Sequence, residues 1–293
     1  MNALVPASHP APVARIASAD AQATDEQLIG LWLHGRSEHT ARAYRRAIER
    51  LVTSTSGKPL RAVTLGDLQA FADALDGQPS SRGQAIAAVK SLLSFGSRIG
   101  ALPFNVGAAL RKPKSRDGLA DRILGETAIA KMLALTEGRD HALVRVLYAT
   151  GARVSEAVSL RWSHVATATD GGAFLTLFGK GGKTRTVRVS SETAAVLVDL
   201  RGDATEDAFV FAGRGGALNV SQAYRIVRAA AERAGIKKAV SPHFMRHAHG
   251  SHALERGASI VLVRDTLGHS SVAVTDRYLH ARPGESSSRF LAF

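Results

Sequence analysis

Residues 149–156 read Ala-Thr-Gly-Ala-Arg-Val-Ser-Glu and residues 241–248 read Ser-Pro-His-Phe-Met-Arg-His-Ala, and these two stretches decide the fold. In the first, Gly151 permits a tight turn, so Arg153 is predicted to open a short apolar helix. In the second, Ser241 predicts an N-cap and proline follows at the first helical position. His243 and Arg246 then share one helix face, a pairing suited to binding phosphate.

The sequence around these stretches predicts a mainly α-helical protein with a small antiparallel β-sheet. In the first half, Asp25 is a candidate N-cap, and Thr64 with Asp67 is a candidate capping box. The apolar periodicity predicts helices at about 25–33, 37–51, 68–75, 81–99, 126–136, 140–149, 154–160, 191–200, 221–234, 242–257, 259–267 and 271–280. Phe174–Phe178 and Thr184–Val189 are β-prone and flank a glycine-rich turn, which predicts a hairpin.

Changes in composition predict a flexible leader (1–22), a helical domain (23–110), a basic linker (111–120), a second domain (121–281) and a C-terminal tail (282–293). In the linker, Arg111, Lys112 and Lys114 crowd around Pro113, which cannot continue a helix. The tail ends in apolar residues. It either packs on its own domain or docks on a neighbouring protomer.

The chain is basic and contains no cysteine. Its 293 residues carry a formal net charge of +13, which favours a polyanionic partner such as DNA or RNA. Charge alone also fits a basic protein with no specific partner. The absence of cysteine excludes disulfides, a thiol nucleophile and a thiolate zinc site. Neither a membrane span nor a signal peptide is evident, so we expect a cytoplasmic, nucleoid-associated protein with no membrane contact.

Several histidines on the predicted helix after Ser241 raise a metal-binding alternative. His243 and His247 have the i, i+4 spacing of helical zinc sites, and His249 and His252 follow on the same helix. Hydrolases of that kind place a glutamate beside the first histidine, where this chain has Phe244. Metal binding therefore remains an alternative, and the favoured prediction has no metal.

Three single side chains each have an ordinary interpretation beside a catalytic one. Arg153 suits a surface salt bridge, yet Glu156 one turn later could hold its guanidinium for phosphate binding. Lys180 suits a solvated turn, but an ammonium there can also donate a proton. Tyr278 suits packing, but a phenol can attack phosphorus once a base takes its proton.

Taken in order along the chain, these residues resemble the active-site set of one known family. Arg153, Lys180, His243-x-x-Arg246, His269 and Tyr278 are similar to the catalytic residues of the tyrosine recombinases, the family of phage-type integrases and Xer-like resolvases. Leu-Gly-His-Ser at 267–270, followed by Tyr278, resembles the family's closing segment. The resemblance implies an N-terminal helical core-binding (SAM-like) domain and a C-terminal α+β catalytic domain that bind DNA from opposite sides.

The sequence departs from the family's pattern at a few positions. Met245 stands where the family usually has leucine, and Val106 follows Asn105 where a proline is customary. Lys183 lies close to Lys180, so either lysine could be the proton donor. We favour Lys180, because the family's lysine lies between the two glycines of this turn.

The resemblance implies a site-specific DNA recombinase that works without metal or cofactor. Tyr278 would form a 3′-phosphotyrosyl bond, with Arg153, Arg246 and His269 on the phosphate, Lys180 as proton donor, His243 as proton acceptor and Glu156 in support. Further contacts to DNA are expected from Arg111, Lys112, Lys114, Lys183 and Arg185. The partner would be double-stranded DNA with a specific recombination site. The protein would be a monomer or weak dimer when free and a homo-tetramer on two sites, passing through a Holliday junction.

Two other functions remain open on the sequence. A type IB topoisomerase uses similar chemistry to relax supercoils without a specific site. A protein of this fold could also bind DNA without cleaving it. The complete catalytic set and the compact chain favour recombination, whether for integration, excision or dimer resolution.

Overall fold

The computed structural model describes residues 23–111, 120–269 and 271–276. It divides into two compact units, Met1–Arg116 and Asp117–Phe293. The described residues are mainly helical with small antiparallel sheets, which confirms the predicted fold class. Within these described ranges, every helix is too short or too polar to cross a bilayer.

The first unit is a helical bundle with its own core. Its helices are α1 (Asp25–Leu33), α2 (Glu38–Ser54), α3 (Leu65–Asp73) and α4 (Pro79–Arg98). Apolar side chains at i, i+3 and i+4 of each helix meet in the centre, and the fully buried ones include Leu51, Leu68, Phe71, Leu92 and Leu93. The Thr64 hydroxyl accepts a hydrogen bond from the Asp67 amide, and the Asp67 carboxylate accepts one from the Thr64 amide, so the predicted capping box is confirmed.

The predicted N-cap of α1 was wrong by one residue. Thr24 holds the cap position, and its hydroxyl accepts from the Gln27 amide. Asp25 is the first helical residue, and its carboxylate instead accepts a 2.8 Å bond from the Leu60 amide. A threonine fits the cap as well as an aspartate, which leaves Asp25 to tie the helix to the following part of the unit.

The second unit combines helices with a three-stranded sheet. Its elements are α5 (Glu126–Ala134), α6 (Gly138–Thr150), α7 (Val154–Val158), β1 (Val165–Thr167), β2 (Ala173–Phe178), β3 (Thr184–Val189), α8 (Ser191–Arg201), β4 (Ala212–Gly213), β5 (Gly216–Ala217), α9 (Val220–Arg233), α10 (Pro242–Glu255), α11 (Ile260–Leu267) and α12 (Val272–Asp276). Helix α6 is central: Leu143, Val144 and Leu147 are fully buried, and α6 packs against α8 and α10.

The sheet has the order β1-β2-β3 and is antiparallel throughout. The predicted hairpin is confirmed, with Phe178 paired to Thr184 at its closed end. Strand β1 was not predicted; Val165 pairs with Leu175 of β2. The last two strands, β4 and β5, form a separate two-stranded ribbon that was also not predicted.

The start of α10 differs from the sequence prediction in one detail. Ser241 occupies the N-cap position, but its side chain makes no capping hydrogen bond. Its carbonyl oxygen instead accepts from the Phe244 amide at 2.8 Å. Pro242 carries no amide hydrogen and its φ is already helical, so the first turn forms without a side-chain cap.

Candidate active site

Arg153 is presented by a glycine turn between α6 and α7. Gly151 ends α6 with φ +58°, in the left-handed region, and Arg153 precedes the first residue of α7. A Cβ at Gly151 would lie 2.5 Å from Leu267 Cδ2 and 2.9 Å from His249 Cδ2. Both the backbone conformation and the close packing therefore require glycine at this position.

Glu156 is a buried carboxylate shared by two arginines. Its Oε1 accepts a 2.8 Å bond from Arg153 Nη1, and its Oε2 accepts a 2.7 Å bond from Arg185 Nη2. The Arg153 amide also donates to Oε2 at 2.8 Å. Burial by itself would raise the pKa of Glu156, but the hydrogen bonds from Arg185 and Arg153 outweigh it and lower this pKa. The carboxylate is therefore ionised at neutral pH and holds both guanidiniums.

Arg246 joins the two sequence boxes. Its side chain lies on α10 and is only 5% exposed. Nη1 donates a 2.6 Å bond to the carbonyl oxygen of Gly151, and Nη2 donates one of the same length to the carbonyl oxygen of Leu267. These bonds fix the guanidinium between the turn before α7 and the end of α11.

The arginines of the two boxes converge on the C-terminal end of α11. Arg153 Nη2 donates to the carbonyl oxygen of Gly268 at 3.4 Å, next to the Leu267 carbonyl that Arg246 binds. A cavity of about 410 Å³ opens beside Arg153, and its lining also includes Lys183, Arg185, Asp265 and His269. The two catalytic arginines predicted from sequence thus reach a common site.

His269 lies in this cavity as a neutral imidazole. Its Nδ1 lies 2.9 Å from the hydroxyl oxygen of Thr275, a fully buried residue of α12. Burial, followed by the positive charges of Arg246 and Arg153, lowers the pKa of His269 to about 4. At neutral pH the ring therefore has one N–H to donate and one nitrogen to accept.

His243 stands in the first turn of α10, one turn before Arg246. Burial lowers the pKa of His243, and the charges of Arg246 and Arg153 lower it further. The ring is therefore uncharged near neutral pH and able to accept a proton.

The lysine-bearing turn follows β2. The chain turns tightly over Lys180–Gly182, where Gly181 and Gly182 have φ +76° and +73°, and the Gly179 amide donates to the Lys183 carbonyl oxygen at 2.7 Å to close the loop. Lys183 is exposed and lines the cavity. The side chain of Lys180 lies outside the described part of the structure, so the choice between the two lysines stays a prediction.

Arg185, which the sequence predicted as a DNA contact, is largely buried within the protein. Its side chain is 13% exposed and bonded to Glu156. Its Nε also donates a 2.6 Å bond to the carbonyl oxygen of Thr266. The strand alternation gave a usable signal: Arg185 has the same parity as Val187 and Val189, which are buried.

Two other histidines of α10 pair with different atoms of Tyr148. His249 Nδ1 lies 2.8 Å from the Tyr148 carbonyl oxygen, and His252 Nδ1 lies 2.9 Å from the Tyr148 hydroxyl. The rings of His243 and His247 are 6.5 Å apart. In the ranges that the structure describes, no three His, Cys, Asp or Glu side chains are grouped as a metal site requires.

The remaining residues predicted to act in the site or to contact DNA lie at the edge of the described ranges or outside them. Arg111 is exposed at the end of the described first unit. Tyr278, Lys112 and Lys114 lie outside the described residues, as does the tail at 282–293. Their roles remain predictions.

Comparison with known protein families decides the relationship of this chain. The model of the phage integrase family matches residues 122–285, and the model of the phage integrase N-terminal SAM-like domain matches residues 26–99. The chain belongs to the phage integrase family. The residues of this integrase that form the cavity all lie within the first match.

This integrase is similar to proteins with an assigned activity. Tyrosine recombinase XerD of Neisseria meningitidis serogroup A / serotype 4A is 34% identical over 274 residues, covering 87% of this chain and 92% of the relative. With so much of the relative covered, this integrase is a tyrosine-type site-specific recombinase, an enzyme that cleaves and rejoins DNA. The resemblance seen in its sequence is confirmed.

Solved structures share the fold at lower identity. The XerH site-specific recombinase bound to palindromic difH substrate, a post-cleavage complex, superposes with a TM-score of 0.72 and 18% identity over 87% of this chain and 80% of that one. A lambda integrase tetramer bound to a Holliday junction superposes with a TM-score of 0.69 and 17% identity, over 87% and 77%. These likenesses support the same fold for this integrase.

Proposed function

We propose that this recombinase cleaves each strand by attack of the Tyr278 phenol on the scissile phosphorus. A bond forms between the phenolic oxygen and phosphorus, and the bond from phosphorus to the 5′-oxygen breaks. The product is a 3′-phosphotyrosyl link and a free 5′-hydroxyl. The phenolic proton passes to His243, and Lys180 supplies a proton to the leaving 5′-oxygen. A 5′-hydroxyl from the second DNA reverses the step and joins the exchanged strands.

Arg153, Arg246 and His269 stabilise the transition state in this proposal. The observation that carries it is the meeting of the two arginines at adjacent carbonyls, Leu267 and Gly268, directly before His269. Their guanidiniums and the imidazole N–H would bind the non-bridging oxygens, on which negative charge grows. Glu156 supports them by fixing Arg153. Removal of one such donor is expected to slow cleavage by about a thousandfold.

His243 is suited to accept the phenolic proton. It is uncharged near neutral pH because burial and the arginines lower its pKa. A neutral imidazole has one nitrogen lone pair available as a base. In this proposal the guanidiniums neutralise the phosphate in place of a metal ion, and no nucleotide cofactor is needed because the phosphotyrosyl bond retains the energy of the cleaved link.

The proposed assembly is a homo-tetramer on two specific sites in double-stranded DNA, with a Holliday junction as intermediate. The free protein is a monomer or weak dimer. Residues 23–110 and 121–281 both bind DNA, joined by the basic linker at 111–120, and the tail at 282–293 packs either on its own domain or on a neighbouring protomer. Lys183, Arg111, Lys112 and Lys114 add contacts to the phosphate backbone. The protein acts in the cytoplasm, on DNA of the nucleoid.

A suicide substrate tests the proposal. A site nicked near the cleavage position loses its short fragment, so the covalent complex accumulates and survives denaturant. The wild type should form this complex in EDTA, and Tyr278→Phe should not. Sequencing the trapped DNA gives the cleavage position and the target. If the wild type relaxes any plasmid without a site, a topoisomerase is favoured instead; if it forms no complex on its own site, the protein only binds DNA.

A further inference from the structure

We propose that Arg185 is a positioning residue, which sets Arg153 through Glu156 and sets the loop before His269 through the end of α11. This inference rests on the proposed function. It assigns Arg185 a role within the protein and not a contact with a DNA phosphate.

The position of Arg185 in β3 directs its side chain inward. Neighbouring residues alternate between the two faces of the strand, with Val187 and Val189 buried and Arg188 exposed. The side chain of Arg185 is 13% exposed, whereas that of Arg188 is 52% exposed. A guanidinium this far from water needs partners within the protein.

The first partner of Arg185 is Glu156. The carboxylate has two oxygens: Oε1 receives Arg153, and Oε2 receives Arg185. The carboxylate is thus held by Arg153 at the start of α7 and by Arg185 on β3. Without Arg185, the carboxylate keeps only one guanidinium partner among the described residues and is free to rotate away from its present plane.

The second partner is the C-terminal turn of α11. Three consecutive carbonyls there each accept a hydrogen bond from a different arginine: Thr266 from Arg185, Leu267 from Arg246 and Gly268 from Arg153. The last carbonyls of a helix have no partner within the helix, and the helix dipole places negative partial charge at this end. The end of α11 therefore gathers three guanidiniums that would otherwise repel one another.

The packing of Arg185 against this turn is close. Gly268 has φ +64°, and a Cβ there would lie 3.2 Å from Arg185 Nη1 and 3.3 Å from its Cδ. The next residue, His269, continues directly from this glycine. Arg185 thus contacts the turn from which the His269 side chain extends.

A paired experiment separates positioning from DNA contact. Arg185→Gln is compared with Arg188→Gln, a change of the same charge on the exposed face of the same strand, where the wild-type arginine pairs with Asp170. Two quantities are measured for each: the Kd for site DNA over a range of salt, and the rate of covalent complex formation on the suicide substrate at saturating DNA. Thermal unfolding checks that each variant is folded.

We expect Arg185→Gln to slow cleavage at saturating DNA by about a hundredfold while Kd stays within about twofold. The slope of log Kd against log salt should not change. Arg188→Gln should cleave within about twofold of wild type. A lost phosphate contact gives the opposite pattern, with weaker binding, a salt slope smaller by about one and normal cleavage at saturation. That pattern would overturn the inference.

Arg185→Lys provides a second variant if glutamine prevents folding. It keeps the positive charge, but an ammonium lacks the planar guanidinium that can donate to a carboxylate and to a carbonyl oxygen at the same time. The cleavage rate should fall by about tenfold or more with Kd unchanged. Normal cleavage by a folded Arg185→Lys protein would show that the bridging geometry is not needed, against the proposal.

Two further readouts test whether Arg185 acts through Glu156. The double variant with Glu156→Gln should cleave no slower than Glu156→Gln alone, and losses that multiply would contradict the inference. Among the described side chains, the charged groups that face Glu156 are Arg153, at the start of its own helix, and Arg185, on β3. Loss of Arg185 should therefore move the acidic limb of the rate profile to higher pH.

If the wild type itself forms no covalent complex, the proposed function fails and this inference fails with it. If the wild type cleaves and Arg185→Gln cleaves equally, only this inference fails.

Discussion

The guanidinium of Arg246 donates a 2.6 Å hydrogen bond to the carbonyl oxygen of Gly151, so the second arginine of the site holds the turn that presents the first. Gly151 lies in the turn between α6 and α7, whereas Arg246 lies on α10, in a sequence box far along the chain. Any change that moves the Gly151 turn therefore disturbs Arg153 and Arg246 together.

Gly151→Ala should destabilise the protein more than an alanine at another left-handed glycine. At Gly235, φ is +74° and a Cβ would meet nothing within 4 Å, so Gly235→Ala should lower the free energy of unfolding by about 1–2 kcal/mol. At Gly151 the methyl group also overlaps Leu267 and His249, which should add about 1–3 kcal/mol. Urea unfolding of both variants measures the difference, and equal losses would contradict the close packing at Gly151.

Glu156→Gln should remove a pH-dependent part of the stability. The pKa of Glu156 in the folded protein is lower than its value of 4.5 without interactions. Its contribution is therefore fully present above pH 4.5 and is lost as the pH falls through the folded pKa. We expect the variant to lose about 3 kcal/mol of unfolding free energy at pH 7, with a gap that narrows below pH 4.5.

The control for this measurement is Glu232→Gln, which breaks an exposed pair with Arg228. Its loss should be below about 1 kcal/mol. A gap between wild type and Glu156→Gln that stays constant from pH 7 to about pH 3 would mean that the carboxylate is not preferentially ionised in the folded state.

Thr275→Val should slow DNA cleavage while Thr275→Ser should not. The Thr275 hydroxyl lies 2.9 Å from His269 Nδ1 and fixes the orientation of the ring. Valine has nearly the same shape but no hydroxyl, so the loss of about 1 kcal/mol corresponds to about fivefold in the cleavage rate. Single-turnover cleavage provides the rate, and an NMR titration should show His269 changing charge near pH 4. Equal cleavage rates for the valine and serine variants would show that the Thr275 hydroxyl has no part in positioning His269.

Lys180 and Lys183 should respond differently to a substrate whose leaving atom needs no proton. DNA with sulfur in place of the 5′-bridging oxygen releases a thiolate, which leaves readily without an acid. Lys180→Ala should slow cleavage of ordinary DNA by about a hundredfold or more, and the sulfur substrate should restore the cleavage rate of this variant. Lys183→Ala should weaken DNA binding, reduce the salt slope by about one and show no such restoration. Restoration of Lys183→Ala would reverse the assignment.

The sequence predicted the features that depend on local preferences. Gly151 signalled a tight turn, and the Thr64–Asp67 pair signalled a capping box, because both act within a few residues. The β2–β3 hairpin was recognisable from two β-prone runs around glycines. Each of these signals lies within one window of the chain, so a pattern of residues is enough to reveal it.

Features that depend on long-range pairing were missed. Strand β1 has three residues, and Val165 becomes a strand residue only by pairing with Leu175. The hydrogen bonds of Arg185 to Glu156 and Thr266 were also not predicted, because these partners are distant in sequence. Its strand parity with Val187 was visible, but parity places a side chain on a face and does not name what it meets there.

Burial lowers the pKa of His249 and of His269 to about 4 and so keeps both rings uncharged at physiological pH. The strongest positive charge acting on each of these rings is the guanidinium of Arg246, which does not release its proton in this range. The electrostatic state of these residues should therefore be almost constant between about pH 6 and pH 8. Proton uptake by these rings thus gives the enzyme no switch, and we expect the timing of strand exchange to be governed by the assembly of protomers on DNA.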